Sequence, residues 1–142
     1  YYKQSAELET RSTDKAKVYY NIANSYKAQN SYSNARTYYR KALNYQPSMG
    51  RAYLKIADMY SNSANNCGDD LFEKQAVYWL AADYAERAGR VSPSLKDNAN
   101  QTAKSYRGRA PQTKDVFQSG RQGEKITFNS CWIGESVTVP SI

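Results

Sequence analysis

Histidine is missing from all 142 residues, and with it goes the commonest general base, proton shuttle and metal ligand. Cysteine occurs twice, at 67 and 131, and two separated thiols make no zinc-binding pattern. There is no glycine-rich loop of the kind that cradles phosphate. The acids Asp69, Asp70 and Glu73 stand together at the expected start of a helix, where capping and the helix dipole account for them. No reacting centre can be assembled from this set, so the expectation is a non-catalytic chain with no metal, no cofactor and no small-molecule substrate. No apolar run approaches the roughly 20 residues that a bilayer-spanning helix requires. Phenylalanine and tryptophan are scarce as well, at three and two residues, against 14 tyrosines.

What the chain does have is periodicity. Tyr19, Ile22, Ala23 and Tyr26 recur at intervals of three and four, which makes one apolar stripe on a helix. Ala35, Tyr39 and Ala42 make the same stripe on a second helix, and the small alanines let the two backbones approach closely. Asn30 and Ser31 supply the turn between them, and Pro47 ends the second helix because the residue before a proline avoids helical geometry. The product is an antiparallel helical hairpin, which cannot bury both faces alone and needs neighbours. Numbered from Ala16, these residues fall at positions 4, 7, 8, 11, 20, 24, 27 and 32 of a 34-residue pattern that closes at Met49. On those residues the chain resembles the tetratricopeptide repeat (TPR) family.

The same pattern restarts at Gly50, with Tyr53, Ile56, Ala57 and Tyr60 in register. Its second helix is displaced: Ala81, Ala85, Ala88 and Pro93 keep the spacing, yet Pro93 follows Pro47 by 46 residues, which implies a 12-residue insertion. Ser61 to Asp70 reads as a loop, followed by a long helix from about Leu71 to Arg90. Ala99, Thr102, Ala103 and Tyr106 trace a further helix whose polar outer face suits a cap. Tyr1 to Leu8 reads as the remnant of a preceding second helix, and the lack of an initiating Met or a secretory apolar segment fits a chain cut from a longer precursor. The expected organisation is therefore repeats over 1–109, divided as a complete repeat at 16–49, a repeat with an insertion at 50–93 and a capping helix at 94–109. A C-terminal extension at 110–142 follows.

Beyond Ala110 the period shortens. Lys125 to Ile133 is rich in β-branched and aromatic residues, Gly134-Glu135 reads as a two-residue turn, and Ser136 to Val139 completes a β-hairpin. Asp115 to Gly120 reads as a short helical or turn segment. A lone hairpin is marginal in water, so Phe128, Trp132, Val137 and Val139 are expected to pack on the last helices; the alternative is that the hairpin edge pairs with a partner strand. If the hairpin folds back on the insertion, Cys67 and Cys131 can form a disulfide; otherwise they remain two thiols, with Cys131 buried. We favour the bridge, which implies an oxidising compartment. The Asn-Cys-Gly-Asp insertion and the Cys-Trp-Ile segment are also similar to C-terminal parts of TPR proteins of the Gram-negative envelope. That similarity implies a periplasmic or envelope location, with the cytoplasm as the alternative.

Charge adds little to identity. The balance is +7, from 20 basic and 13 acidic residues, and it favours acidic partners by long-range steering. No nucleic-acid recognition motif accompanies it, even in the mild cluster at Lys104, Arg107, Arg109, Lys114 and Arg121. The tyrosines outside the repeat positions, Tyr20, Tyr32, Tyr38 and Tyr45, are free to face a groove or a neighbouring repeat.

The resemblance implies an all-α solenoid of helical hairpins, with a small β-hairpin at its end, that holds a protein or peptide in its concave groove. In this family the groove positions correspond here to Lys17, Tyr20, Asn21 and Asn24 from the first repeat and to Arg51, Leu54, Lys55 and Asp58 from the second. Asn21, Arg51 and Lys55 resemble a carboxylate clamp for a peptide's C-terminus, since two cations and an amide can coordinate a carboxylate through charge-assisted hydrogen bonds. Asp58 departs from that pattern and is placed to neutralise Lys55 or Arg51. The alternative is a structural end cap of a longer solenoid with no ligand of its own.

Overall fold

The computed structural model describes the backbone of residues 2–141 and the side chains of residues 11–141. Six helices and one two-stranded antiparallel sheet follow in order among the described residues: α1 (Tyr2–Ala28), α2 (Tyr32–Tyr45), α3 (Gly50–Asn62), α4 (Leu71–Val91), α5 (Lys96–Arg109), α6 (Thr113–Ser119), β1 (Lys125–Thr127) and β2 (Ser136–Thr138). Single 3₁₀ turns at Ala64–Asn66 and Pro93–Leu95 join α3 to α4 and α4 to α5. The fold is a TPR-type helical solenoid with a C-terminal β-hairpin.

The first helix is longer than its repeat. Proline first occurs at 47 and glycine at 50, so nothing breaks the helix ahead of Ala16, and Tyr2–Ala28 is continuous. This corrects the expectation of a separate helix over the first eight residues; Tyr1 lies outside the described residues. The far end of α1 stops on local chemistry. Asn30 takes a left-handed conformation (φ 60°), while the Ser31 and Asn30 amides donate to the Tyr26 and Lys27 carbonyls at 2.9 and 3.0 Å. That is the Schellman arrangement, with Asn in the place usually held by glycine.

Small residues set the helix spacing. Ala16, Ala23, Ala35, Ala42, Ala52, Ala57, Ala81 and Ala85 have no exposed surface, and Tyr39, Tyr60 and Ile56 fill the space between them. Gly50 marks the closest approach, since a Cβ there would meet the Ala88 carbonyl oxygen at 2.6 Å and the Ser92 Cβ at 2.7 Å. The start of α3 is thereby seated against the end of α4. Asp70 caps α4, its carboxylate accepting from the Glu73 amide at 2.8 Å, which accounts structurally for the acids at that helix start.

The sheet differs from expectation in its connection. Lys125 pairs with Thr138, Ile126 with Val137 and Thr127 with Ser136, so an eight-residue loop, 128–135, replaces the two-residue turn. Tertiary contacts explain the early end of β1. Cys131 is bonded to Cys67 with their Cα atoms 5.3 Å apart, and Trp132 donates through its indole nitrogen to Ser63 Oγ at 2.8 Å. The loop leaves the ladder to make these contacts.

Burial also marks two tyrosines. It raises the hydroxyl pKa of both Tyr39 and Tyr60, helped at Tyr39 by neighbouring Tyr20 and at Tyr60 by the hydrogen bond to Glu135. A raised pKa means that the stability these groups contribute is complete below their ordinary value of 10.0 and is lost as pH climbs above it. In a spectrophotometric titration, tyrosines 39 and 60 are expected to ionise only together with loss of helical circular dichroism. Ionisation of every tyrosine with the helices intact would contradict this.

Candidate protein-binding groove

Helices α1, α3 and α5 are the first helices of successive hairpins and form one face, while α2 and α4 form the other. Lys17, Tyr20, Asn21 and Asn24 stand on α1, and Arg51, Leu54, Lys55 and Asp58 stand on α3. The structure joins the two sets at Tyr20, whose ring centroid lies 4.6 Å from the Arg51 guanidinium. Tyr20 also meets the Tyr39 ring edge-on at 5.6 Å. Lys17, Asn21 and Arg51 are exposed and Lys55 is half-buried. One turn of α3 separates Arg51 from Lys55, which puts both cations on the same side of the helix.

Two residues of the predicted set have other employment. Asn24 accepts a hydrogen bond from the Tyr39 hydroxyl through its side-chain oxygen, so that oxygen faces the core. Asp58 forms an ion pair with Lys27 of α1 at 2.7 Å, which corrects the expectation that it would neutralise Lys55 or Arg51. Among the described residues, no acidic side chain lies within ion-pair distance of Lys17, Arg51 or Lys55. Removing Asp58 from competition leaves this face with a net positive character.

The opposite face is occupied by the chain itself. Glu135 reaches between α2 and α4, accepting from Tyr84 at 2.7 and 2.9 Å and from Tyr60. Arg36 and Arg40 flank it at 3.9 and 3.6 Å. The Arg36 guanidinium also donates to the Ile133 and Trp132 carbonyls at 2.6 and 3.1 Å and lies 4.9 Å from the Trp132 ring centroid. Trp132 therefore packs on α2 and α3, with Tyr60 and Tyr32 at 5.3 and 5.7 Å, and not on the last helices as expected. Phe128, Val137 and Val139 are buried.

The remaining candidates resolve into structural roles. Tyr38 stacks on Tyr26 and Tyr45 on Tyr19, at 5.4 and 5.6 Å. Arg107 pairs with Glu86 at 2.5 Å and Asp83 at 3.8 Å, and its hydrogen bond holds the Glu86 carboxyl below its usual pKa. Arg121 bridges Glu73, Glu124 and Asp70. Two of the five cations in the C-terminal basic cluster, Arg107 and Arg121, are thus paired with acids.

The family model for the tetratricopeptide repeat matches residues 16–49, the hairpin of α1 and α2 whose stripes are described above. The chain carries a tetratricopeptide repeat. Tetratricopeptide repeats are non-catalytic modules that bind protein partners, and the helical stacking seen here is what presents their surface. Over 94 residues the chain is 30% identical to the photosystem I assembly protein Ycf3 of Cyanophora paradoxa, an alignment covering 65% of this chain and 54% of that protein. The chain thus spans about half the length of that curated relative. No solved structure matches it. No helix among the described residues is long and apolar enough to cross a membrane.

Proposed function

We propose that the α1–α3 face is a binding groove for a protein segment carrying acidic side chains or a C-terminal carboxylate, and that the chain serves as a scaffold within a larger assembly. The observation that carries this reading is that no acid among the described residues lies within ion-pair distance of Lys17, Arg51 or Lys55, Asp58 of the same face being held by Lys27, while the hairpin packs on the opposite side. Asn21 adds an amide donor beside the cations, and Tyr20 supports Arg51 from below. Such a set suits a carboxylate through charge-assisted hydrogen bonds. A role in assembly is in keeping with the name of the Cyanophora relative. The Cys67–Cys131 bond favours an oxidising compartment, periplasmic or envelope-associated.

A panel of peptides ending in acidic residues with free carboxylates, measured by calorimetry against amidated, neutral counterparts, tests the groove. Combining Arg51→Ala with Lys55→Ala is expected to weaken binding at least tenfold, since each charged hydrogen bond contributes about 1.5–3 kcal/mol. Unchanged affinity in the double variant would remove the groove from the explanation and leave the end-cap role, in which these helices bind nothing.

A further inference from the structure

Beyond the α1–α3 groove, a second site lies on the other face. The furrow between α2 and α4, floored by α3, is filled along part of its length by the hairpin loop and left open along the rest. In the filled part the contacts step along the three helices as Arg36 and Arg40 on α2, Tyr60 on α3 and Tyr84 on α4, all engaging Glu135. One to two turns further on, the same helices contribute Arg40 and Leu43, Ile56 and Tyr53, and Tyr84 and Arg87, which line an open cavity of about 370 Å³. Arginines border the furrow in both parts, and tyrosines and aliphatic side chains make the floor.

Charge selects the occupant. Arg87 is exposed and stacks on Tyr84, its guanidinium carbon 4.7 Å from the ring centroid. Among the described residues no acid lies within ion-pair distance of it; Asp83, one turn before it, feels its charge but pairs with Arg107 at 3.8 Å. Arg40 is half exposed, and its acid partner, Glu135, already accepts from two tyrosines and pairs with Arg36. Stacking on an aromatic face holds a guanidinium ready for a carboxylate without removing its donors. Leu43 and Tyr53, half-buried, offer apolar surface between the two arginines, with the buried Ile56 behind them.

We propose that this open half of the furrow binds an acidic peptide segment, one Glu or Asp set between Arg40 and Arg87 with an apolar neighbour on Leu43 and Tyr53. The hairpin loop is the intramolecular precedent: Glu135 sets an acidic side chain among Arg36 and Arg40 of α2, Tyr60 of α3 and Tyr84 of α4 one step away, two residues after the buried Ile133. The site is separate from the α1–α3 groove and stands or falls independently of it.

Amidated, acetylated octapeptides with Leu-Glu-Leu at the centre, and Leu-Gln-Leu counterparts, serve as probes for amide chemical-shift titration of the full chain. The acidic peptides are expected to produce saturable shifts at Arg40, Leu43, Asn44, Tyr84 and Arg87, with the Gln peptides at least tenfold weaker. Arg87→Ala is expected to reduce affinity about tenfold with the circular dichroism unchanged, Arg87→Lys to recover part of it, and Arg51→Ala with Lys55→Ala to leave these shifts in place. Equal binding of Glu and Gln peptides, shifts confined to α1 and α3, or no saturation at any peptide overturns the proposal.

Discussion

Replacing both Cys67 and Cys131 by serine is expected to lower stability by about 3–4 kcal/mol, the largest effect of any substitution considered for this chain. The bridge closes a loop with a sequence separation of 64 residues, and the chain-entropy account assigns a loop of that size about 4 kcal/mol. For a domain of this size the melting temperature should fall by roughly 10 °C. The loss should not be spread evenly. The alanine and tyrosine core of helices α1 to α4 extends into the hairpin through Ile126, Phe128, Ile133, Val137 and Val139, but the hairpin has strands of only three residues and is marginal on its own. Fluorescence of Trp132, packed between Arg36 and Tyr60, should therefore change at lower denaturant than the helical signal at 222 nm. Trp79, on α4, gives a second emission, so the comparison is made in a Trp79→Phe background. Coincident transitions with no loss of stability would show that the bond constrains nothing the helices do not already hold. Cys67 is fully buried, so reduction of the native protein by a small thiol should be slow and accelerate as the hairpin opens.

The helical part of this design is legible in the sequence because its determinants are local and repeated. Ala23, Ala35 and Ala42 announce close helix contacts, Asn30 announces the turn, and Pro47 and Pro93 announce the ends. The displaced helix is legible for the same reason, since its alanine spacing survives the insertion. The groove was readable only through the family pattern, which places residues but not their partners. Asn24 and Asp58 both stand at groove positions, yet one serves Tyr39 and the other Lys27, and neither pairing leaves a periodic trace. Least legible was the face that the hairpin covers. Arg36, Arg40, Tyr84 and Glu135 are separated by up to about a hundred residues, and an arginine at a helix surface looks the same whether it meets water or a carboxylate. The one local signal is Gly134-Glu135, whose residue types suit a two-residue turn, while the disulfide that draws the loop away depends on a partner 64 positions distant. Two facts combine to misplace that turn: glycine at 134 does adopt positive φ (66°), but the chain reverses direction over eight residues.

Removing the Glu135 carboxylate should have the second-largest effect. Glu135→Ala is expected to cost about 2–4 kcal/mol in urea unfolding, because Tyr60 and Tyr84 would each lose an acceptor, and Arg36 its opposite charge, in a place where water reaches poorly. The Arg36 side chain is 15% exposed and that of Glu135 30%, so the charges are screened far less than on an open surface. Glu135→Gln keeps an oxygen for the tyrosines but withdraws the charge facing Arg36 and Arg40, and it should fall between the wild type and alanine. The order of the three proteins carries the argument, since a hairpin held by apolar packing alone would make glutamine and glutamate equivalent. A double-mutant cycle with Tyr84→Phe should give a coupling of about 1 kcal/mol or more, as expected for groups that share one hydrogen-bonded network. Strict additivity would mean that the tyrosine and the carboxylate act separately despite their 2.7 Å contact. Because Glu135 and the disulfide hold neighbouring points of the same loop, losing both should free the hairpin from α2 and α4 altogether. The furrow between those helices would then be open along its whole length, with Arg36 joining Arg40 and Arg87 as cations available to an acidic peptide.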